Sequence, residues 1–162
     1  MDVIVYAALC PQKTERAAAY TLLQYALKQQ FGLTELPEMK RTEEGKPYFP
    51  QYSQICFNLS HSCGAVVCAV HDKPIGVDIE KVRPAPRRLA KDMGAADFFR
   101  RWTAMEATVK REGRDWRSLL AGPEPDALCR TREDLLPGWI ITVCPSECGE
   151  ICWELVNLSE PT

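Results

Sequence analysis

The stretch Gly76-Val77-Asp78-Ile79-Glu80 constrains this chain more than any other. Apolar and acidic residues alternate in it with a period of two, which is the pattern of a β-strand. Such a strand projects Asp78 and Glu80 from one face and Val77 and Ile79 from the other. Carboxylates on alternate strand residues stand about 7 Å apart. They repel each other and are costly to bury without a countercharge. Two arrangements relieve that cost. Either the acidic face lies in water at a sheet edge, or the pair is half of a site for a hard divalent cation, which prefers oxygen ligands.

The rest of the chain bounds the choice. At 162 residues it can build one ordinary core, or two small halves that share one. A net charge of −2 gives no overall attraction to nucleic acid or to an anionic membrane, so any phosphate recognition is local. No run approaches the length of a membrane-spanning helix. The start, Met1-Asp2-Val3-Ile4-Val5-Tyr6, is apolar but carries an acid where a signal peptide carries base. The expectation is an N-terminal strand in a cytoplasmic protein. Of the eight cysteines, Cys10, Cys56, Cys68 and Cys152 sit in apolar runs, where a reduced thiol acts as a small hydrophobe. Cys144, Cys148 and Cys152 lack the C-x2-C spacing usual for zinc, and a disulfide framework is not expected.

In chain order, residues 2–9 read as a strand that Pro11 ends. Thr14 is a candidate cap for a helix from about Glu15 to Phe31, with Gly32 just past its end. Ala19, Leu22, Leu23, Ala26 and Leu27 make its apolar face. Lys13 and Arg16 stand at the helix start, where base opposes the helix dipole unless an anion binds there. Residues 33–54 are irregular and contain Gly45-Lys46-Pro47, which suits either a surface turn or a close backbone approach to a ligand. Cys56–Ser62 and Ala65–Val70 read as strands, with Ser60, His61 and Ser62 at a sheet edge. His71, in a plain turn, reads as structural. Lys81–Arg88 is a basic, proline-broken connection suited to a hinge or to an acidic partner.

Residues 95–113 read as a helix with Phe98, Trp102, Met105 and Val109 as its core stripe. Glu106 and Lys110 lie four apart and share a face beside that stripe. They form either a plain helix ion pair or a third carboxylate next to a phosphate-binding lysine. Trp116, Leu119 and Leu120 are expected to return to the core. Trp139–Cys144 and Ile151–Leu158 are strand candidates.

Read together, Gly45-Lys46-Pro47, Phe57-Asn58-Leu59-Ser60-His61-Ser62, Gly76-Val77-Asp78-Ile79-Glu80 and Trp102-Thr103-Ala104-Met105-Glu106-Ala107-Thr108-Val109-Lys110 resemble the 4′-phosphopantetheinyl transferases. The nearest type is the pseudo-dimeric one that activates surfactin synthetase. The likeness is dense from Gly45 to about Gly113. It implies an α+β fold over residues 1–162, built of two similar α/β halves with small antiparallel sheets, 1–75 and 76–162. It implies a cytoplasmic, monomeric enzyme that moves the phosphopantetheine arm of coenzyme A to a serine of an acyl or peptidyl carrier protein. That reaction releases 3′,5′-ADP and serves fatty acid, polyketide or nonribosomal peptide biosynthesis. No nucleic acid or membrane partner is implied.

By the same resemblance, Asp78, Glu80 and Glu106 hold Mg²⁺, with Asp78, Glu106 and Lys110 as the catalytic set and Glu106 as candidate base. Lys46, Pro47, Ser60, His61 and Lys110 match positions that bind coenzyme A, and Lys13 and Arg16 are implied for the same role. The 28 residues from Asp78 to Glu106 are fewer than is usual for the pseudo-dimeric type, and the missing piece belongs to the half where the family docks its carrier. Two rival readings are a coenzyme A-binding relative without catalysis and a Mg²⁺-dependent hydrolase of nucleotide pyrophosphates.

Overall fold

The computed structural model describes residues 1–90 and 93–158. Residues 91, 92 and 159–162, all within the 76–162 half expected from sequence, lie outside the described residues. The elements run β1 (Val3–Leu9), α1 (Glu15–Phe31), β2 (Lys40–Arg41), β3 (Pro47–Tyr48), β4 (Cys56–Ser62), β5 (Ala65–His71), β6 (Ile75–Lys81), α2 (Arg87–Ala90), α3 (Ala95–Glu112), β7 (Arg130–Arg132), β8 (Trp139–Pro145) and β9 (Ile151–Leu155). The fold is mixed α/β with small sheets.

One sheet has the order β4-β5-β1-β9 and a second the order β6-β8-β7; β2 and β3 form a small ribbon. Within the first, β1 pairs antiparallel with β5, Ile4 opposite Val70, and parallel with β9, Val3 opposite Ile151. The parallel pairing brings the chain end back across to the first sheet.

Period-two alternation makes each strand serve two cores. Tyr6, Ala8, Val66, Cys68 and Val70 face α1 and meet Leu22, Leu23, Ala26 and Leu27. Val3, Val5, Ala7 and Val67 face the other way and pack on Val77, Ile79, Ile141 and Val143 of the second sheet. The far side of that second sheet carries α3. The layers therefore run α1, first sheet, second sheet, α3. The alternation in β6 puts Val77 and Ile79 between the sheets and turns Gly76, Asp78 and Glu80 toward α3.

Gly76 sets how closely that helix sits. A Cβ there would fall 1.9 Å from the Ala107 carbonyl oxygen and 2.5 Å from the Arg111 nitrogen, so only glycine admits α3 at this distance.

The helix bounds, the apolar face of α1 and strands β1, β4, β5 and β6 match the sequence expectation, whereas the stretch 33–54 expected to be irregular contains the short β2–β3 ribbon, Lys40 opposite Tyr48. Several details differ. Thr14 does not cap α1 with its side chain; its hydroxyl donates to the Pro11 carbonyl within a short 3-10 turn, Gln12–Thr14. Trp116 and Leu120 do not return to the core: they are 62% and 78% exposed on a 3-10 segment, Trp116–Ala121, too tight to turn them both inward. Of the cysteines expected in apolar surroundings, Cys68 is buried but Cys152 is exposed on the edge strand β9, and all eight are free thiols. Strand β7 has no alternating apolar signal, because Arg130-Thr131-Arg132 is a polar edge strand. Among the described residues no helix is long and apolar enough to cross a membrane.

Candidate active site

The edge strands of the two sheets, β4 and β6, lie side by side without backbone pairing. Side chains join them instead. On β4 the residues at 58, 60 and 62 all point toward β6, while Phe57, Leu59 and His61 point toward α1. Asn58 Oδ1 accepts from the Val77 amide at 2.8 Å. Ser60 Oγ donates to Asp78 Oδ1 at 2.7 Å. Ser62 Oγ donates to Glu80 Oε2 at 2.9 Å and accepts from the Lys81 amide at 3.2 Å. Trp139 Nε1 adds a bond to the Ser62 carbonyl at 2.8 Å. These bonds satisfy three backbone groups at the otherwise open sheet edges, the Val77 and Lys81 amides and the Ser62 carbonyl, and fix the acidic residues against α3.

Helix α3 supplies the rest. Lys110 Nζ donates to Asp78 Oδ1 at 2.6 Å and to Ser60 Oγ at 3.1 Å, and stands 3.5 Å from Glu106 Oε2 one turn earlier. Asp78 is 2% exposed, and its Oδ2 has no hydrogen-bond donor among the described residues while the neighbouring Glu106 is ionised; a protonated Glu106 carboxyl can hydrogen-bond Asp78. A buried carboxylate oxygen without a partner is costly.

Charge in the cluster is unbalanced toward negative. Burial first, and then the Asp78 charge, push the Glu106 carboxyl up to about 8; Lys110 offsets part of this, and Glu80 adds to it. Burial works against the Lys110 ammonium, but Asp78 and Glu106 outweigh it and hold that group above its ordinary range. The two effects have one source, carboxylates in a poorly hydrated place with one cation between them.

The cluster opens on a cavity of about 290 Å³. Its walls include Gly45, Lys46 and Pro47 on one side, Glu106 and Lys110 on another, and Trp116 on a third. A larger apolar cavity of about 690 Å³ lies beyond Leu119, lined by Phe98, Trp102, Met105 and Leu120.

The structure separates the residues singled out from sequence into three places. Asp78, Glu106, Lys110 and Ser60 converge. Lys46 and Pro47 line the cavity beside them, but the Lys46 ammonium is held by the end of α3: it donates to the Lys110 and Arg111 carbonyls at 2.7 and 2.9 Å. Burial lowers its pKa. His61 lies on the opposite face of β4 from Ser60, where its Nδ1 meets Glu15 Oε2 at 2.7 Å. Glu15 also accepts from the Gly64 amide, which ties the β4–β5 hairpin tip to the start of α1. Exposed Lys13 and Arg16 flank Glu15 in sequence. His71 is buried and structural, with Nε2 bonded to the Met1 carbonyl.

Among the described residues, no three His, Cys, Asp or Glu side chains come close enough together to count as a metal site. Glu80 is engaged by Ser62 and by Arg83, whose Nη1 is 2.8 Å from Oε2. The chemistry of the donor set nevertheless fits a hard cation: Asp78 Oδ2 is bare, and Glu106 suffers from its acidic neighbours. Sequence alone assigns no individual site role to Asn58, Ser62, Arg83 or Gly76, although it places Ser62 at a sheet edge and Arg83 in a connection suited to an acidic partner. The signal for the first two was present, since Asn58, Ser60 and Ser62 recur with the same period of two as Asp78 and Glu80.

No protein-family model matches the chain. Curated relatives do. The chain is 33% identical over 110 residues to the 4′-phosphopantetheinyl transferase Sfp of Bacillus subtilis (strain 168), covering 57% of this chain and 49% of that protein. It is 28% identical over 156 residues to the 4′-phosphopantetheinyl transferase psf-1 of Bacillus pumilus, covering 76% and 67%. It is 35% identical over 128 residues to the 4′-phosphopantetheinyl transferase AcpT of Salmonella typhimurium, covering 65% and 64%. The chain thus spans about half to two thirds of these relatives' length. By sequence the chain is similar to proteins named 4′-phosphopantetheinyl transferase.

Proposed function

We propose that this chain transfers the 4′-phosphopantetheine arm of coenzyme A to a serine of an acyl or peptidyl carrier protein. The observation that carries the reading is Asp78. It is a buried carboxylate with one oxygen held by Ser60 and Lys110, the other bare, and Glu106 beside it at the wall of a cavity.

Asp78, Glu106 and Glu80 would hold Mg²⁺, which when bound neutralises charge on the coenzyme A pyrophosphate. Lys110 fixes the orientation of Asp78 and brings positive charge to the cavity where the leaving 3′,5′-ADP gathers negative charge. With its carboxyl ionised, as a bound cation would keep it, Glu106 on the cavity wall accepts the proton of the incoming serine hydroxyl. The serine oxygen then forms its bond to phosphorus as the bond to 3′,5′-ADP breaks. Gly45, Lys46 and Pro47 form the wall for the nucleotide end. His61, Lys13 and Arg16, gathered at the start of α1, are the group for the outlying 3′-phosphate.

The carrier lies over the apolar cavity between α2, α3 and Trp116–Ala121, where Leu89 and Leu120 are exposed. Each of the two larger sheets carries one long helix, α1 on the first and α3 on the second, which supports a pseudo-dimeric plan of halves 1–75 and 76–162 in a monomer, although β9 of the second half joins the first half's sheet through a parallel pairing.

The test is to incubate the protein with coenzyme A, Mg²⁺ and several apo carrier proteins and to weigh the carriers by mass spectrometry. A phosphopantetheine mass gain on serine is expected. No gain on any carrier, with coenzyme A bound, overturns the reading, and so does release of 3′,5′-ADP without a carrier.

A further inference from the structure

The two strand carboxylates are held in the same manner. Asp78 has two donors on a single oxygen: Ser60 at 2.7 Å and the Lys110 ammonium at 2.6 Å, both on Oδ1. Glu80 also has two donors on a single oxygen: Ser62 at 2.9 Å and the Arg83 guanidinium at 2.8 Å, both on Oε2. In each case one donor is a serine of β4 and the other is a cation, from α3 for Asp78 and from the segment just after β6 for Glu80. For Asp78 the arrangement leaves Oδ2 bare and buried. For Glu80 it leaves Oε1 as the oxygen open to another partner. The repeat follows from period-two alternation, since Ser60 and Ser62 stand to Asp78 and Glu80 as neighbours across one seam.

Arg83 is itself held. Its guanidinium carbon lies 4.9 Å from the centre of the Phe99 ring on α3, and Nη1 also donates to the Lys81 carbonyl at 3.0 Å. Phe99 is almost fully buried, so the stack fixes the guanidinium in one place. Ser62 is likewise fixed, because its hydroxyl accepts from the Lys81 amide while it donates to Glu80.

We infer that Ser62 and Arg83 are positioning residues for Glu80: they occupy Oε2 and thereby direct Oε1 toward a divalent cation held with Asp78 and Glu106. This rests on the cation reading proposed above. The physical reason is that a ligating carboxylate on a strand has free χ angles until its second oxygen is engaged. Outer partners that engage it typically change metal affinity about 10- to 100-fold. Arg83 does this without quenching the site, because its charge meets the oxygen that turns away from the cation. A guanidinium is also weakly hydrated and always charged, so the contact persists at a partly exposed position.

The test is a Mn²⁺ titration of the full chain with saturating coenzyme A, reading free Mn²⁺ by electron paramagnetic resonance, for wild type and for E80Q, S62A, R83M and R83K. Coenzyme A without protein gives the background. The expected result is one protein-dependent Mn²⁺ site in wild type, at least 10-fold weaker in S62A and R83M. Recovery of most of the affinity in R83K is expected, since it restores the charge. R83M keeps an apolar stem over Phe99, so its loss would report the charge and not the packing. If wild type binds with E80Q weakened but S62A and R83M equal to wild type, the positioning role falls and the cation reading stands. If R83M binds more tightly, Arg83 competes with the cation, and the inference is wrong. If wild type binds no Mn²⁺ above background, the cation reading itself fails, and this inference with it.

Discussion

Ser60 and Lys110 share one oxygen of Asp78, at 2.7 and 2.6 Å, and Lys110 also reaches Ser60 at 3.1 Å. The three groups come from three elements, β4, β6 and α3, so the contact both closes the seam between the sheets and anchors the helix. Lys110→Met should leave Asp78 buried without its countercharge. The expected loss is about 3 kcal/mol, at the low end for breaking a buried pair because Lys110 is 30% exposed. Urea denaturation measures it; a loss below about 1 kcal/mol would show that the pair is solvated.

Gly76→Ala tests the packing of α3. Its Cβ would meet backbone atoms of Ala107 and Arg111, which cannot rotate away. The helix must move, carrying Glu106 and Lys110 with it. A cost of about 1–3 kcal/mol is expected from overpacking. The proposed transfer activity should fall further than the residual folded fraction explains. Circular dichroism melts paired with carrier mass assays separate the two effects.

Lys46→Ala tests a different role from the one its motif suggests. The ammonium donates to the Lys110 and Arg111 carbonyls at the end of α3, where the helix runs out of its own amide donors and the Lys110 carbonyl otherwise meets only the capping Gly113 amide at 3.2 Å. Removing it should cost about 1.5 kcal/mol, as for other hydrogen bonds to a charged group, and should do so without coenzyme A present. A melting temperature equal to that of wild type would show that the lysine's role at the helix end is negligible.

The pH dependence of the metal-free protein follows from Glu106. Its carboxyl is raised in the folded state from 4.5 to about 8, so folding binds a proton that the unfolded chain has already released. That contribution is complete below pH about 4.5 and is lost as pH rises toward about 8. In excess EDTA, stability should therefore fall across this window, and Glu106→Gln should flatten the fall. Thermal melts at a series of pH values decide it; an unchanged slope in Glu106→Gln would remove Glu106 as the cause.

The sequence by itself determined the local units. The alternation in Gly76–Glu80 made a strand with two faces, and the spacing of Glu106 and Lys110 put both on one face of a helix. Gly32 and Gly113 ended α1 and α3 at the expected places, in the left-handed conformation. These are short-range effects, set by side-chain periodicity and by backbone sterics that involve a few neighbours.

What faced each unit was decided only by the tertiary structure. The acidic face of β6 could equally have met water. It meets α3 because Gly76 admits the helix and because Asn58, Ser60 and Ser62 hold the seam. Ser60 and His61 are adjacent in sequence yet serve opposite faces, since a strand inverts its side chains at every step. Lys46 carried a charge that any anion could have claimed. It was taken instead by carbonyls 64 and 65 residues away, whose position no local pattern records. Hydrogen bonds and buried charge depend on which surfaces meet, and that is a property of the assembled layers rather than of any one stretch.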